Sequence, residues 1–168
     1  MWWVRRQRRA WLTAPFRAVT YTGTGKTWFV VFGVLGLLDL VGLHVLPAQR
    51  TFLRAASTAL LAYAVGSVVK RLVRRPRPAQ TLPGYDPAVA PPTCYSFPSS
   101  HAAAAVAFFV ALEIVGHPWA HAVGVWALAV ALSRFYLGVH YPTDIAGGAV
   151  IGVGCGASVL LARSFFAG

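Results

Sequence analysis

Apolar residues run through this chain in five blocks of near-bilayer length: Trp28–Leu46, Phe52–Val69, Phe97–Val115, Trp119–Val139 and Thr143–Leu161. Each block is apolar all round, with no polar stripe at helical period, as befits a helix that meets lipid or protein core on every side. About 20 mostly apolar residues cross a hydrocarbon core of about 30 Å. The pattern therefore predicts an all-α integral membrane protein built as a bundle of about five transmembrane helices. The alternative is a soluble helical bundle with a large core, but too few polar faces remain to solvate one. Pro47 ends the first block, Gly116-His117-Pro118 separates the third from the fourth, and Pro142 stands at a favoured first helical position of the fifth. The longest polar interruption, Arg77 to Tyr95, is rich in proline and carries the turn signal Pro83-Gly84-Tyr85-Asp86. It reads as a stiff, irregular lid. Residues 1–168 form one domain.

Composition adds a charge asymmetry. The chain is 57% hydrophobic and 11% charged, yet its formal net charge is +11. Residues 1–26 place Arg5, Arg6, Arg8 and Arg9 beside Trp2, Trp3 and Trp11. An apolar h-region is missing before Trp28, so the segment is no secretory signal. It reads as a basic amphipathic helix lying on anionic headgroups, with a disordered basic tail as the alternative. Nucleic acid is not expected as a partner; the neighbouring spans make a lipid surface the natural one. Cys94 and Cys155 read as free thiols without metal-ligand spacing. Thr22-Gly23-Thr24-Gly25-Lys26-Thr27 looks like the end of a nucleotide-binding P-loop. The glycine required five positions before Gly25 is Thr20, and no strand precedes it, which rejects that reading.

Five spans put their connections alternately on two faces. One face collects the N-terminal segment and the regions 70–98 and 134–144. Twelve of the 15 Lys and Arg residues fall there; Arg50, Arg54 and Arg163 fall on the other face. Setting Lys70, Arg77 and Arg134 aside as site candidates leaves nine against three, and the positive-inside rule then puts this face in the cytoplasm of a multi-pass plasma-membrane protein. Ser99, Ser100, His101, His140 and Asp144 lie on the same face. The whole chain has four acids, Asp39, Asp86, Glu113 and Asp144. A cation cluster with so few acids calls for an external anion, and phosphate is the natural candidate. Asp39 sits mid-span, where a charge signals function or a partner. His44, Glu113, His117 and His121, near the other face, lack convincing metal-site spacing.

Three segments supply complementary chemistry. Lys70, six residues, then Arg77-Pro78 can neutralise phosphate oxygens, as can Arg134. Pro98-Ser99-Ser100-His101 opens a helix whose N–H groups and dipole favour an anion, and Ser99 can add a hydroxyl. His140 can attack phosphorus as a neutral imidazole. Asp144, four residues on, can hold its tautomer and support the growing positive charge. His101 can protonate the leaving alkoxide and then activate water against the phosphohistidine. The cations do the electrostatic work, so neither metal nor cofactor is required. Taken singly, each residue has a bland reading: a snorkelling lysine, an N-cap serine, an interfacial His–Asp pair.

Together these residues resemble the three signature motifs of the type-2 phosphatidic acid phosphatase superfamily, which includes lipid phosphate phosphatases and vanadium haloperoxidases. The pattern is Lys70-x6-Arg77-Pro78, Pro98-Ser99-x-His101, and Ser133-Arg134-x5-His140-x3-Asp144, within a core of roughly residues 55–162. The resemblance implies His140 as nucleophile, Asp144 as its partner and His101 as acid and base. It implies phosphate contacts from Lys70, Arg77, Ser99, Ser100 and Arg134. Ser100 stands where the family commonly has Gly, and its backbone N–H is still available. Membrane members more usually have six spans, and many face the outside, contrary to the charge asymmetry. The implied activity is hydrolysis of a terminal phosphate from a lipid: a polyprenyl phosphate or diphosphate, a polyprenyl-phosphosugar, phosphatidylglycerol phosphate or phosphatidate. The competing readings are a non-catalytic protein binding anionic lipid and, more remotely, vanadate-dependent haloperoxidation.

Overall fold

A computed structural model describes residues 1, 5, 6, 8–45, 49–91, 93–158 and 160. Trp2, Trp3, Pro47, Arg163 and the end of the last apolar block at Leu161 lie outside the described residues. The described residues form seven helices and no strands: α1 Ala10–Thr22, α2 Gly25–Leu40, α3 Gln49–Val73, the single turn α4 Pro78–Thr81, α5 Ser100–Ile114, α6 Ala120–Tyr136 and α7 Pro142–Ala157.

The all-α bundle is as the hydropathy predicts, but α2, α5 and α6 are shorter than their apolar blocks, whereas α3 runs beyond Phe52–Val69 at both ends. Among the described residues, only α3, with 25 residues, is by itself long and apolar enough to cross a membrane; α1 and α2 pass that test together, bent by 50° at their junction. The 15 residues of α5 rise about 22 Å at about 1.5 Å each. The third block overran because Phe97, Pro98 and Ser99 precede the helix. The fourth overran because Leu137 and Val139 are buried in the connection after α6. An apolar loop residue that packs into a bundle is indistinguishable by hydropathy from a helical one. The outward surfaces remain apolar: Leu40 is 82% exposed and Val150 72%. With alanine and glycine inside and large aliphatic side chains outside, the bundle has the inverted dressing of a chain solvated by lipid.

Helix α5 is the axis of the bundle and packs against α3, α6 and α7. Its buried Ala102, Ala103, Ala104, Ala105, Ala107 and Ala111 permit close approach on every side. On α7, Gly148, Gly152 and Gly156 repeat every four residues and so share one face. A Cβ added to Gly152 would meet the Ala103 carbonyl oxygen at 2.6 Å, and one added to Gly156 would meet that of Ala107 at 2.7 Å. This constant register places the N-termini of α5 and α7 side by side, where Ser99 N donates to the Asp144 carbonyl at 2.9 Å. Gly152→Val is expected to force the pair apart, destabilising the protein by about 1–3 kcal/mol as an overpacked core does. A lowered unfolding midpoint in detergent, with reduced turnover, checks this.

At the opposite end, Trp28, Phe32, Phe52, Phe108 and Trp126 join α2, α3, α5 and α6, with Trp28–Phe108 and Phe52–Phe108 centroids each 4.9 Å apart. Asp39, expected mid-span, is instead the second-to-last residue of α2, where its Oδ1 lies 3.2 Å from His44 Nδ1 and 3.4 Å from Arg50 Nε.

The basic N-terminal segment grips the proline-rich loop. Arg8 donates to the Asp86 carbonyl at 2.7 Å, to Tyr85 Oη at 2.9 Å and to the Tyr136 carbonyl at 3.2 Å. Arg17 donates twice to the Ala88 carbonyl, at 2.6 and 3.1 Å. The expected turn is present, with Tyr85 N on the Leu82 carbonyl and Gly84 at φ +66. Gly138, at φ +77, lies under Arg8 and Tyr85 so closely that any side chain there would collide with both. The connection leading to His140 is thus pinned from above.

Candidate active site

Lys70 ends up on the last turn of α3, Arg77 at the start of α4, Ser100 and His101 in the first turn of α5, and His140 just before α7. These five residues line one cavity of about 500 Å³, together with Arg71, Thr93, Cys94 and Tyr95 among others. The loop between α3 and α5 turns back beside the helix ends because Ser96 N donates to the Arg75 carbonyl at 2.8 Å and Ser96 Oγ to that of Pro76 at 3.0 Å.

His140 is 1% exposed and is held from two sides. Its Nδ1 stands 3.5 Å from Asp144 Oδ2. Its Nε2 lies 3.4 Å from Arg77 Nη1, and a guanidinium can only donate. The proton therefore belongs on Nδ1, facing the carboxylate, and the lone pair on Nε2 faces the cavity. The Nδ1–Oδ2 contact is longer than a formed hydrogen bond, as such contacts often are before substrate arrives. Burial, the largest influence, pushes the His140 imidazole below its ordinary range, and the guanidinium of Arg134 acts the same way, while the Asp144 carboxylate opposes them. The neutral imidazole is the resting form.

Asp144 is fully buried, and its orientation follows from its place in the helix. As third residue of α7 it accepts from Tyr141 N through Oδ2 at 2.9 Å, closing the helix N-terminus. Its Oδ1 accepts from Arg75 Nη1 at 2.8 Å. Arg75 also donates to Thr143 Oγ1 at 2.7 Å and lies 4.2 Å above the Tyr141 ring. Sequence reasoning missed Arg75, because nothing in a run of four arginines between 71 and 77 says which one turns towards the carboxylate.

Arg77 donates to the Thr93 carbonyl at 2.7 Å, to Thr93 Oγ1 at 3.0 Å and to the Val139 carbonyl at 2.6 Å. Burial lowers its pKa to about 10, which leaves it a cation at neutral pH. Thr93, also missed from sequence, fixes the guanidinium plane.

Two expected phosphate contacts are placed differently from their partners. Ser99 is fully buried as the N-cap of α5, its hydroxyl 3.5 Å from Ala102 N, and Ser100 takes the position on the cavity wall. Arg134 shares a cavity wall with His101, and its charge also acts on His140. It lines a neighbouring cavity of about 520 Å³, with its Nη1 donating to Thr20 Oγ1 at 2.7 Å.

Residues 51–166 match the PAP2 superfamily. A decaprenylphosphoryl-5-phosphoribose phosphatase from Mycolicibacterium smegmatis is 37% identical over 134 residues, 79% of this chain and 68% of that protein. The fold superposes on a transmembrane PAP2-type phosphatidylglycerolphosphate phosphatase from Bacillus subtilis with a TM-score of 0.74 at 24% identity, covering 97% of this chain and 82% of the other. It superposes on Aquifex aeolicus LpxE with a TM-score of 0.71 at 24% identity, covering 94% and 90%. With three spaced motifs meeting at one cavity and the match running over most of its length, this chain belongs to the PAP2 superfamily.

Proposed function

We propose that this membrane lipid phosphatase removes the terminal phosphate from a polyprenyl-linked phosphosugar or a related lipid phosphate, through a phosphohistidine on His140. One observation carries the reading: a buried His140, its Nδ1 3.5 Å from Asp144 Oδ2 and its Nε2 3.4 Å from Arg77 Nη1, lines one cavity with Lys70, Arg77 and His101. The polyprenyl-phosphosugar class is supported by the relative that acts, by its name, on decaprenylphosphoryl-5-phosphoribose.

In the reaction, Lys70, Arg77 and the N–H groups opening α5 hold the phosphoryl oxygens, and Ser99, by capping α5, aims those groups. Arg134 adds positive potential beside His101. Nε2 of His140 bonds to phosphorus as the ester P–O bond breaks, and His101 gives its proton to the departing alkoxide. Asp144 steadies the positive charge on the His140 ring. Water then attacks the phosphohistidine, passing a proton to His101, and inorganic phosphate leaves. The groups that perform each step all come from this chain. The test is phosphate release from a panel of purified lipid phosphates in EDTA: release is the expected result, and no release from any lipid in the panel overturns the reading.

The site is proposed to face the cytoplasm, supported by the excess of Lys and Arg on its side of the membrane. Cys94 is exposed near the cavity and is one of two cysteines. In a Cys155→Ser background, an impermeant maleimide is expected to leave Cys94 unlabelled in intact cells and to label it after permeabilisation. Labelling in intact cells would reverse the orientation.

A further inference from the structure

Phosphoryl transfer needs two separately held groups in register. His140 leads into α7, whereas Arg77 stands at the start of the single turn α4, which follows the end of α3. Attack on phosphorus tolerates little error between the clamp and the nucleophile, because a misplacement of about 1 Å can cost about 10²-fold in rate. Tyr141, the residue after His140, meets the incoming segment twice. Its Oη lies 2.6 Å from Oγ1 of Thr81, the last residue of α4. Thr81 Oγ1 in turn donates to the Arg77 carbonyl at 3.4 Å, so the phenol is bonded to the same turn that begins at Arg77.

The Tyr141 ring makes the second contact. The Arg75 guanidinium lies 4.2 Å from the ring centroid, while its Nη1 donates to Asp144 Oδ1 at 2.8 Å and to Thr143 Oγ1 at 2.7 Å. Arg75 is partly exposed, and a long side chain at the water edge has rotamer freedom to lose. Stacking on an aromatic face holds the flat guanidinium in one plane and aims it at the buried carboxylate. Tyr141 N also donates to Asp144 Oδ2 at 2.9 Å. The backbone of Tyr141 thus holds one carboxylate oxygen, and its ring holds the arginine that binds the other.

We propose that Tyr141 is a positioning residue for the reaction: its ring fixes Arg75 on Asp144, and its hydroxyl fixes α4, and with it Arg77, against the start of α7. Tyr141 is not part of the wall of the catalytic cavity, so its influence reaches the phosphate through Asp144 and Arg77 and falls on kcat more than on KM. This rests on the phosphatase reading above.

Three substitutions at partly or fully exposed positions test it by phosphate release from the lipid panel, phosphatidate included. Tyr141→Leu removes ring and hydroxyl, and is expected to lower kcat about thirtyfold with KM within about threefold of wild type. Tyr141→Phe keeps the ring and is expected to restore kcat to within about threefold, the size of one hydrogen bond. Thr81→Val should cost about the same, and the double variant Tyr141→Phe/Thr81→Val no more than either, because one bond is removed once. The pH profile supplies a readout that simple loosening of the fold would not move. With Arg75 no longer held, less positive charge bears on the His140–Asp144 pair, so the acid limb of kcat/KM should move to higher pH in Tyr141→Leu and stay in place in Tyr141→Phe. The other groups facing the pair, Lys70, Arg77, His101 and Arg134, are the same in all variants. A Tyr141→Leu kcat within about twofold of wild type, an unmoved acid limb in that variant, or losses that multiply in the double variant would overturn the positioning role and leave the phosphatase reading intact. Should Tyr141→Leu fail to fold, the Tyr141→Phe and Thr81→Val cycle decides alone. Absence of phosphate release by the wild-type protein from every lipid overturns both.

Discussion

His140→Ala is expected to reduce lipid phosphate hydrolysis by at least about 10³-fold, the scale on which loss of a nucleophile and its base partner is felt. Imidazole removal leaves the cation ring of Lys70 and Arg77 in place, so substrate should still bind and KM should change far less than kcat. That split separates a lost nucleophile from a collapsed site. Brief exposure to phosphate-labelled substrate followed by alkaline quench should trap an acid-labile, base-stable phosphoryl group on the wild-type chain and none on the variant. The pH profile gives an independent reading. Burial disfavours the imidazolium and lowers the His140 pKa, so the nucleophilic neutral form persists as the pH falls. The acid limb of kcat/KM assigned to His140 should therefore lie below the ordinary imidazole value of about 6.5. Turnover by His140→Ala at the wild-type rate would refute the mechanism.

Asp144→Asn is expected to cost about 10²–10⁴-fold in kcat. An amide can present its NH2 to the ring, which favours the proton on Nε2 and blocks attack. It also leaves the growing imidazolium without a buried counter-charge. The variant also takes the charge out of the 2.8 Å contact with Arg75, so a matched Arg75→Gln variant is informative: it releases Asp144 on one side while keeping the carboxylate beside His140. Its loss should be much smaller, about tenfold, because Tyr141 N still holds Oδ2. Equal losses in the two variants would mean that the ion pair, and not the His–Asp contact, sustains activity.

Much of this site is legible in the sequence because it is built from short-range spacings at helix starts. His140 and Asp144 are four apart across a proline that opens α7, so the carboxylate falls in the first turn and points back at the preceding residue. Ser99-Ser100-His101 open α5 in the same way. The partition of Ser99 and Ser100 was not legible. Both serines suit a cap and both are buried, and only the rotation of α5, set by the glycine face of α7 against its carbonyls, decides which one caps the helix and which lines the cavity. Arg134 was assigned to phosphate by its motif, but which cavity it lines depends on the crossing of α6 with α1, where Thr20 captures one of its nitrogens.

The sequence alone determined the all-α class, the lipid-matched apolar surface, the charged face and the residues of the candidate reaction centre. These follow from transfer energies and from contacts within a single helical turn, both local properties of the chain. Only the tertiary structure decided where the helices stop, which arginine pairs with Asp144, and how Arg8 and Arg17 clasp the proline-rich loop. Those contacts join positions 60–130 residues apart. Their geometry depends on how closely helices pack and how each is turned about its axis, which side-chain volume against backbone sets and no linear pattern encodes.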